Sequence, residues 1–302
     1  MAFETLPVPR LARPLAPVDP YRHRAAYLRV LALLYHAEAA ALEGFELLTD
    51  PAYVQGHELF ARISRRLVAD ERRHLEDIER LVARLTPDGV PPPSPAEAEF
   101  WTAWRSGTLF ALPYKPSIAA LFCLFSEGLG FAFLHHLAEM TSDPDFKAAL
   151  AANVEDEKMH LRLSLTVLKR AMQHDKRSLL ADFVVYLTGY GLVARKPLRE
   201  QRAMLEALGI DYDVLVGSSL RFVCELMQVV VDEETDPRLD RLLRRLAATF
   251  GDNPRAVRVM HLAMYLPEPP GARRLVYGWG RLGQLVDRRR AASTAPAEAE
   301  AA

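Results

Sequence analysis

Two five-residue stretches carry the same chemistry. Asp70-Glu71-Arg72-Arg73-His74 and Asp156-Glu157-Lys158-Met159-His160 each set a Glu and a His three residues apart. On an α-helix that spacing puts both side chains on one face, about 60° apart. A lone acid lies upstream of each pair. Glu38 precedes Glu71 by 33 residues, and Glu127 precedes Glu157 by 30. Such a separation lets one helix end, turn and return antiparallel, bringing both side chains to one depth. Carboxylates and imidazoles grouped in this way are ligands for divalent first-row metals.

The elements that must position them read as helices with apolar faces. Leu31, Leu34, Tyr35, Leu42 and Phe45 share the stripe of Glu38. Phe60, Ile63, Leu67, Val68, Leu75 and Ile78 share that of Glu71 and His74. Cys123, Leu124, Phe131 and Leu134 flank Glu127, and Leu150, Leu161 and Leu168 accompany Glu157 and His160. Four carboxylates and two imidazoles therefore point into apolar seams. A buried charge must be paired, neutralised or metal-bound. Four carboxylates neutralise two divalent ions, and each imidazole supplies one nitrogen. Glu43 competes with Glu38, but its stripe holds His36, Ala39, Ala40 and Glu46, a more polar set, which favours Glu38. Asp70 and Asp156 sit about 100° around the helix from their Glu neighbours and face sideways. A ligating His commonly donates its free N–H to a carboxylate. Asp70 is therefore expected to orient His160, and Asp156 to orient His74, across the seam.

Glu38, Glu71-x-x-His74, Glu127 and Glu157-x-x-His160 resemble the ligand set of ferritin-like di-iron carboxylate proteins. The doubled Asp-Glu-x-x-His form is similar to that of the O2-activating members, the bacterial hydroxylases and N-oxygenases. The spacings 33, 56 and 30 between successive carboxylate ligands also resemble those of arylamine N-oxygenases and aldehyde-deformylating oxygenases. The resemblance covers roughly residues 24–173, about half of the chain. One position departs from it. Arylamine N-oxygenases carry an extra His one turn before the second Glu-x-x-His, where this chain has Asn153, kept as a further candidate ligand.

The resemblance implies an all-α chain with a ferritin-like four-helix bundle and additional C-terminal helices. It implies two iron ions cycling between Fe2+ and Fe3+, with O2 as co-substrate; manganese suits the same ligands. Glu71 and Glu157 would bridge the metals, Glu38 and Glu127 would be terminal ligands, and His74 and His160 would each bind one. The implied activity is a monooxygenase-type oxidation, hydroxylation or N-oxygenation, of a small organic substrate. Electrons would come from an external ferredoxin or reductase. Other readings stay open: a ferroxidase or iron store, a dimanganese or di-iron protein that removes peroxide, and a helical scaffold without activity. Storage ferritins are similar in the core but are shorter and lack the second Glu-x-x-His. A rubrerythrin-like peroxidase would add a Cys-x-x-Cys module, which this chain does not contain.

Composition agrees with a folded, helical chain. Half of the 302 residues are hydrophobic, enough for a sizeable core. The formal net charge of −1 argues against general nucleic-acid binding. Cys123 and Cys224 both fall in apolar runs, so packed thiols and a reducing, cytoplasmic setting are expected. No uninterrupted apolar run reaches the roughly 18 residues of a membrane span. Pro7, Pro9, Pro14, Pro17 and Pro20 stand where the apolar centre of a signal peptide would be. A homodimer is compatible with all of this.

Read in order, residues 1–22 form an extended, proline-punctuated arm, and 23–173 hold the bundle. Its helices are expected over 21–48, 52–85, 116–140 and 143–173, with Ser142 or Asp143 capping the last. The prolines near 91–95 make a rigid connector to a short helix over 95–106 that carries Phe100, Trp101 and Trp104. Those aromatics read equally as a pocket wall or as packing over the bundle end. Residues 174–290 add helices over 177–194, 197–207, 212–232, 236–250, 254–265 and 271–290. The first of these is apolar enough to pack on the bundle as a fifth core helix. Glu225 reads as a paired or partly exposed acid, His261 as a surface or packing residue, and Asp232-Glu233-Glu234 as a solvated helix end. Arg273 to Arg290 reads as a basic stripe on a docked helix, and 291–302 as a disordered tail. Gly128 and Gly130 leave either room for a substrate or a close helix contact.

Overall fold

A computed structural model describes residues 6–11, 13–49, 58–105, 116–174, 179–251 and 253–266. The chain is all-α. Among the described residues the only β-type pairing is an isolated bridge between Val18 and Thr141. The helices among the described residues are, in order, α1 (Arg24–Leu48), α2 (Glu58–Leu85), α3 (Pro95–Arg105), α4 (Pro116–Met140), α5 (Pro144–His174), α6 (Leu180–Ala207), α7 (Tyr212–Met227), α8 (Pro237–Gly251) and α9 (Pro254–Ala263).

Each long helix follows from its apolar stripe. In α2, Ala61, Ser64, Leu67, Glu71, His74, Ile78, Leu81, Val82 and Leu85 are buried at three- and four-residue steps. Arg62, Arg65, Arg66, Arg72, Arg73, Glu76, Glu79 and Arg80 cover the opposite, exposed face. Glu71 and His74 are thus the polar members of a buried stripe. Asp143 starts α5: its Oδ1 accepts the backbone N–H groups of Asp145 and Phe146, each at 3.0 Å. Gly209 ends α6 at φ +75°, with Ile210 N–H bonding back to the Leu205 carbonyl and Gly209 N–H to that of Glu206. Asn253 caps α9, with Pro254 at its first turn.

The first two helices form a hairpin. Tyr35 Oη donates to Glu79 and Arg72 to Glu46, so the register runs antiparallel. Helices α4 and α5, joined by three residues, form a second hairpin, and α2 packs on α5 to bring the pairs together. By contrast α1 and α4 barely touch. Helix α6 packs against both of them, and α7 packs along α4. Helices α8 and α9 complete an outer layer on α7. The arm crosses the end of the second hairpin: Val18 N–H donates to the Met140 carbonyl at 2.8 Å and Ser142 N–H to that of Val18 at 2.9 Å.

Two expected boundaries move. The helices expected over 177–194 and 197–207 are one helix, α6, with Pro197 inside it. Proline removes the N–H that would bond the carbonyl of Val193, but buried Ala194, Pro197 and Leu205 hold one face to the core on both sides of it. The helix expected to reach 232 stops at Met227. There Asp232 Oδ1 accepts the N–H groups of Glu234 and Thr235 and starts a turn instead. Arg24–Glu46 meets the length and mean hydropathy of a membrane span, a difference from the count of uninterrupted apolar residues. In the fold this helix packs on α2, α3 and α6. Residues 52–57 of the expected second helix, the helix over 271–290 and the tail lie outside the described residues, as do the side chains of Phe60, Trp104 and Cys123.

Candidate metal centre

Four helices deliver one ligand candidate or pair each. Glu38 comes from α1, Glu71 and His74 from α2, Glu127 from α4, and Glu157 and His160 from α5. All are buried except Glu127, which is partly open. Glu43, the competitor on α1, is exposed.

Their arrangement has two-fold logic. His74 Nδ1 lies 3.7 Å from Glu38 Oε2, 3.7 Å from Glu71 Oε2 and 3.4 Å from Glu157 Oε1. His160 Nδ1 lies 3.7 Å from Glu127 Oε2, 3.5 Å from Glu71 Oε1 and 3.2 Å from Glu157 Oε2. Glu71 and Glu157 each turn one oxygen to each imidazole. Glu38 and Glu127 each serve one side. Two groups able to hold a metal ion result: Glu38, Glu71, His74 and Glu157, and Glu71, Glu127, Glu157 and His160.

A cation fits this set. Both Glu71 oxygens, both His74 nitrogens, Glu157 Oε2 and His160 Nδ1 are buried and meet no hydrogen-bond partner. Orphaned polar atoms in an interior are costly, and a bound ion would satisfy all of these at once. Six oxygen and nitrogen donors with four negative charges balance two divalent ions.

The charges that these groups hold among themselves point the same way. Burial, then the charge of Glu38, pushes Glu71 well above the usual carboxylate range. Burial and the neighbouring Glu157 push Glu127 up to about 8. Burial also opposes ionisation of Glu38, but its interactions with Glu71 and His74 take it down to about 2. For His74, burial disfavours the cation, yet Glu38 and Glu71 outweigh it and raise the imidazole to about 11. His160 is likewise raised, with Glu157 and Asp70 overcoming its burial. Carboxylates this close hold protons on their neighbours.

The outer nitrogens of the two imidazoles face the expected acids. His160 Nε2 is 3.4 Å from Asp70 Oδ2, and His74 Nε2 is 3.5 Å from Asp156 Oδ2. Each contact crosses the α2–α5 seam. Arg73 joins them, with Nη2 donating to Asp70 at 2.8 Å and to Asp156 at 2.9 Å. His160 and Arg73 hold Asp70 down at about 2. Nothing in the sequence reading singled out Arg73. Its signal was its place one turn after Asp70, on the same side of α2. Asn153 is buried one turn before Glu157, and its Oδ1 has no partner.

Glu38, Glu127 and Glu157 also border a cavity of about 810 Å³. It opens where α1 and α4 part, and α6 and α7 wall it. Phe100 and Trp101 line it too, so these aromatics are a pocket wall. Tyr190 of α6 contacts both Phe100 and Phe125 edge-on, with centroids at 6.0 and 5.4 Å. Tyr35, near Glu38 in sequence, turns away to Glu79. A Cβ on Gly128 would lie 2.9 Å from Val223 Cγ2, so this glycine serves close packing of α4 on α7. A Cβ on Gly130 would meet nothing within 4 Å, so Gly130 leaves room in the cavity.

The remaining candidates are structural. Arg221 donates to Glu225 at 2.7 Å. His261 is buried between Tyr212 and Tyr265, with ring centroids at 5.2 and 5.5 Å. Asp232, Glu233 and Glu234 are exposed, and Cys224 is a buried free thiol. No family model matches the chain, and no curated protein matches it in sequence.

Proposed function

We propose that this chain is a ferritin-like, non-haem di-iron oxygenase that uses O2 to oxidise an organic molecule. One observation carries the reading. Two metal-ligand groups share Glu71 and Glu157 and border, at Glu38 and Glu127, a large apolar cavity. An iron store needs the first feature and has no use for the second. A bound pair of irons would supply the electron transfer that O2 requires.

The residues of the chain do the rest. Glu71 and Glu157 offer one oxygen to each metal position. Glu38 and Glu127 hold the outer sides, where the cavity gives their carboxylates room to shift. Asp70 holds the Nε2 proton of His160 at 3.4 Å, and Asp156 faces Nε2 of His74 at 3.5 Å, so the Nδ1 of each imidazole is the nitrogen turned toward the carboxylates. Arg73 fixes both acids at once. The apolar walls exclude water and orient the substrate. In the overall reaction one oxygen atom enters the substrate. The other leaves as water, with two protons and two electrons from an external donor of the ferredoxin or reductase class. A reducing cytoplasm suits that supply.

Metal content and O2 uptake by the reduced protein test this directly. About two irons per chain with O2 consumed in proportion supports the oxygenase. Two manganese ions without O2 uptake would move the reading to peroxide removal. Large assemblies with many irons per chain would move it to storage. A protein that binds no metal would overturn it.

A further inference from the structure

The cavity has a size and a charge pattern of its own. At about 810 Å³ it lies near the upper end for ligand pockets, far beyond the needs of a single ring. Its walls are carbon, with Leu33 on α1, Phe133 on α4 and Leu187 on α6 as examples. Among the described residues, acids border it only at the metal-ligand end. Among the described lining residues the sole basic side chain is Arg195. Its Nε and Nη2 donate to the Met264 carbonyl at 3.1 and 2.8 Å, and Nη2 also donates to the Leu266 carbonyl. Among the described residues no carboxylate pairs with it. A guanidinium on an apolar wall that donates to carbonyl dipoles favours an anionic ligand. Met264 and Leu266 follow α9, which packs on α7 and α8, in the layer beyond the metal-ligand helices.

Two glycines keep the space open. A Cβ added at Gly130 or at Gly191 would meet nothing within 4 Å, and both residues line the cavity. Glycine inside a helix costs about 0.5–1 kcal/mol relative to alanine. Neither position needs glycine for a turn or a close approach, so its consequence is open volume.

We infer that the cavity binds an amphipathic acid. Its apolar body runs past Gly130 and Gly191 between α4 and α6, its anionic group sits on Arg195, and its far end lies at Glu38 and Glu127. This deepens the oxygenase reading, on which it rests for the reaction but not for the binding.

The test is calorimetric titration of the full-length, iron-loaded protein, kept anaerobic, with dodecanoate, its methyl ester and butyrate. Dodecanoate should bind at least ten-fold more tightly than either of the others. Gly191→Phe should weaken dodecanoate at least ten-fold while the iron content stays unchanged. Gly191→Leu, a smaller change that raises helix propensity, serves if the Phe variant does not fold. Arg195→Gln should bring acid and ester to equal affinity. Undiminished binding by a folded Gly191 variant would overturn the cavity as the site. Equal affinity of acid and ester for the unaltered protein would overturn the role of Arg195. Iron content, measured on the same samples, reports on the oxygenase reading separately. Dodecanoate binding that persists in metal-poor Glu71→Ala protein would keep this inference standing were that reading to fail.

Discussion

The α2–α5 seam and the gap between α1 and α4 place the same carboxylate chemistry in opposite settings. The seam is closed. Glu71, His74, Glu157 and His160 are buried there, the two imidazole centroids lie 5.8 Å apart, and Asp70 and Asp156, joined by Arg73, face the outer nitrogens. The gap is open. Helices α1 and α4 each bring one glutamate, stay apart, and leave an apolar cavity roofed by α6 and α7. A metal centre that must stay put and still meet a substrate needs both sides. On the proposed reading, the outer contacts would fix the imidazoles and the free volume beside the outer carboxylates would admit the reactant.

Breaking a shared ligand should do the most damage. Glu71→Ala removes a donor from both ligand groups, so metal content should fall from about two ions per chain to well below one, with O2 uptake lost. Glu127→Ala removes a donor from one group only and should leave about one ion per chain. Metal analysis beside a circular dichroism spectrum that stays helical checks both. Equal loss in the two variants would erase the distinction between shared and outer carboxylates.

Acidity separates the two sides next. In metal-free protein the raised groups, Glu127 at about 8 and His74 at about 11, hold protons that the unfolded chain would release at lower pH. The folded state then binds more protons than the unfolded state, and stability falls as pH rises from 4.5 to about 8 for Glu127 and from 6.5 to about 11 for His74. The melting temperature of metal-free protein should therefore drop by several degrees from pH 6 to pH 9. A divalent ion replaces those protons, so metal-loaded protein should lose this slope, and its apparent metal affinity should rise with pH. A flat melting profile for the metal-free form would contradict the proton sharing among the Glu/His cluster.

The two glycines of α4 give a smaller effect of opposite sign. Gly128→Leu drives a side chain into Val223, with even the first carbon at 2.9 Å, and should cost about 1–3 kcal/mol. Gly130→Ala meets open space and should stabilise by up to about 1 kcal/mol through helix propensity. Chemical denaturation of the two variants decides it. Destabilisation by both would mean that the cavity wall at Gly130 is packed.

The same pair shows what a sequence can and cannot display. Gly128 and Gly130 look alike on paper and differ only in what α7 brings beside one of them. The Glu/His cluster was legible because each member is a polar residue inside an apolar stripe, a local signal that survives without tertiary knowledge. The Asp143 cap was legible for the same reason. Pro197 misled because the packing that carries α6 through it comes from other helices. The stop at Met227 was hidden by Val229, Val230 and Val231, which prolong the apolar pattern until Asp232 binds its own turn. The cavity was the least legible feature, since empty volume belongs to no residue. It arises from the distance between α1 and α4.

Arg73 offers the finest test of the closed side. Its guanidinium is half exposed, so as an ion pair it adds little to stability. Its value lies in geometry. One nitrogen holds Asp70 and Asp156 together, and each of those acids faces the outer nitrogen of one imidazole. Arg73→Ala should leave the melting temperature of metal-free protein within about 2 °C, a change below roughly 0.5 kcal/mol. It should nonetheless weaken metal binding about ten-fold, the low end for outer contacts of a metal site. Arg73→Lys, which keeps the charge but not the planar fork, should recover part of that loss. Competition with a chelator of known affinity measures all three proteins. Full affinity in Arg73→Ala would mean that the two aspartates hold the imidazoles without help, and the closed side would then rest on the α2–α5 contact alone.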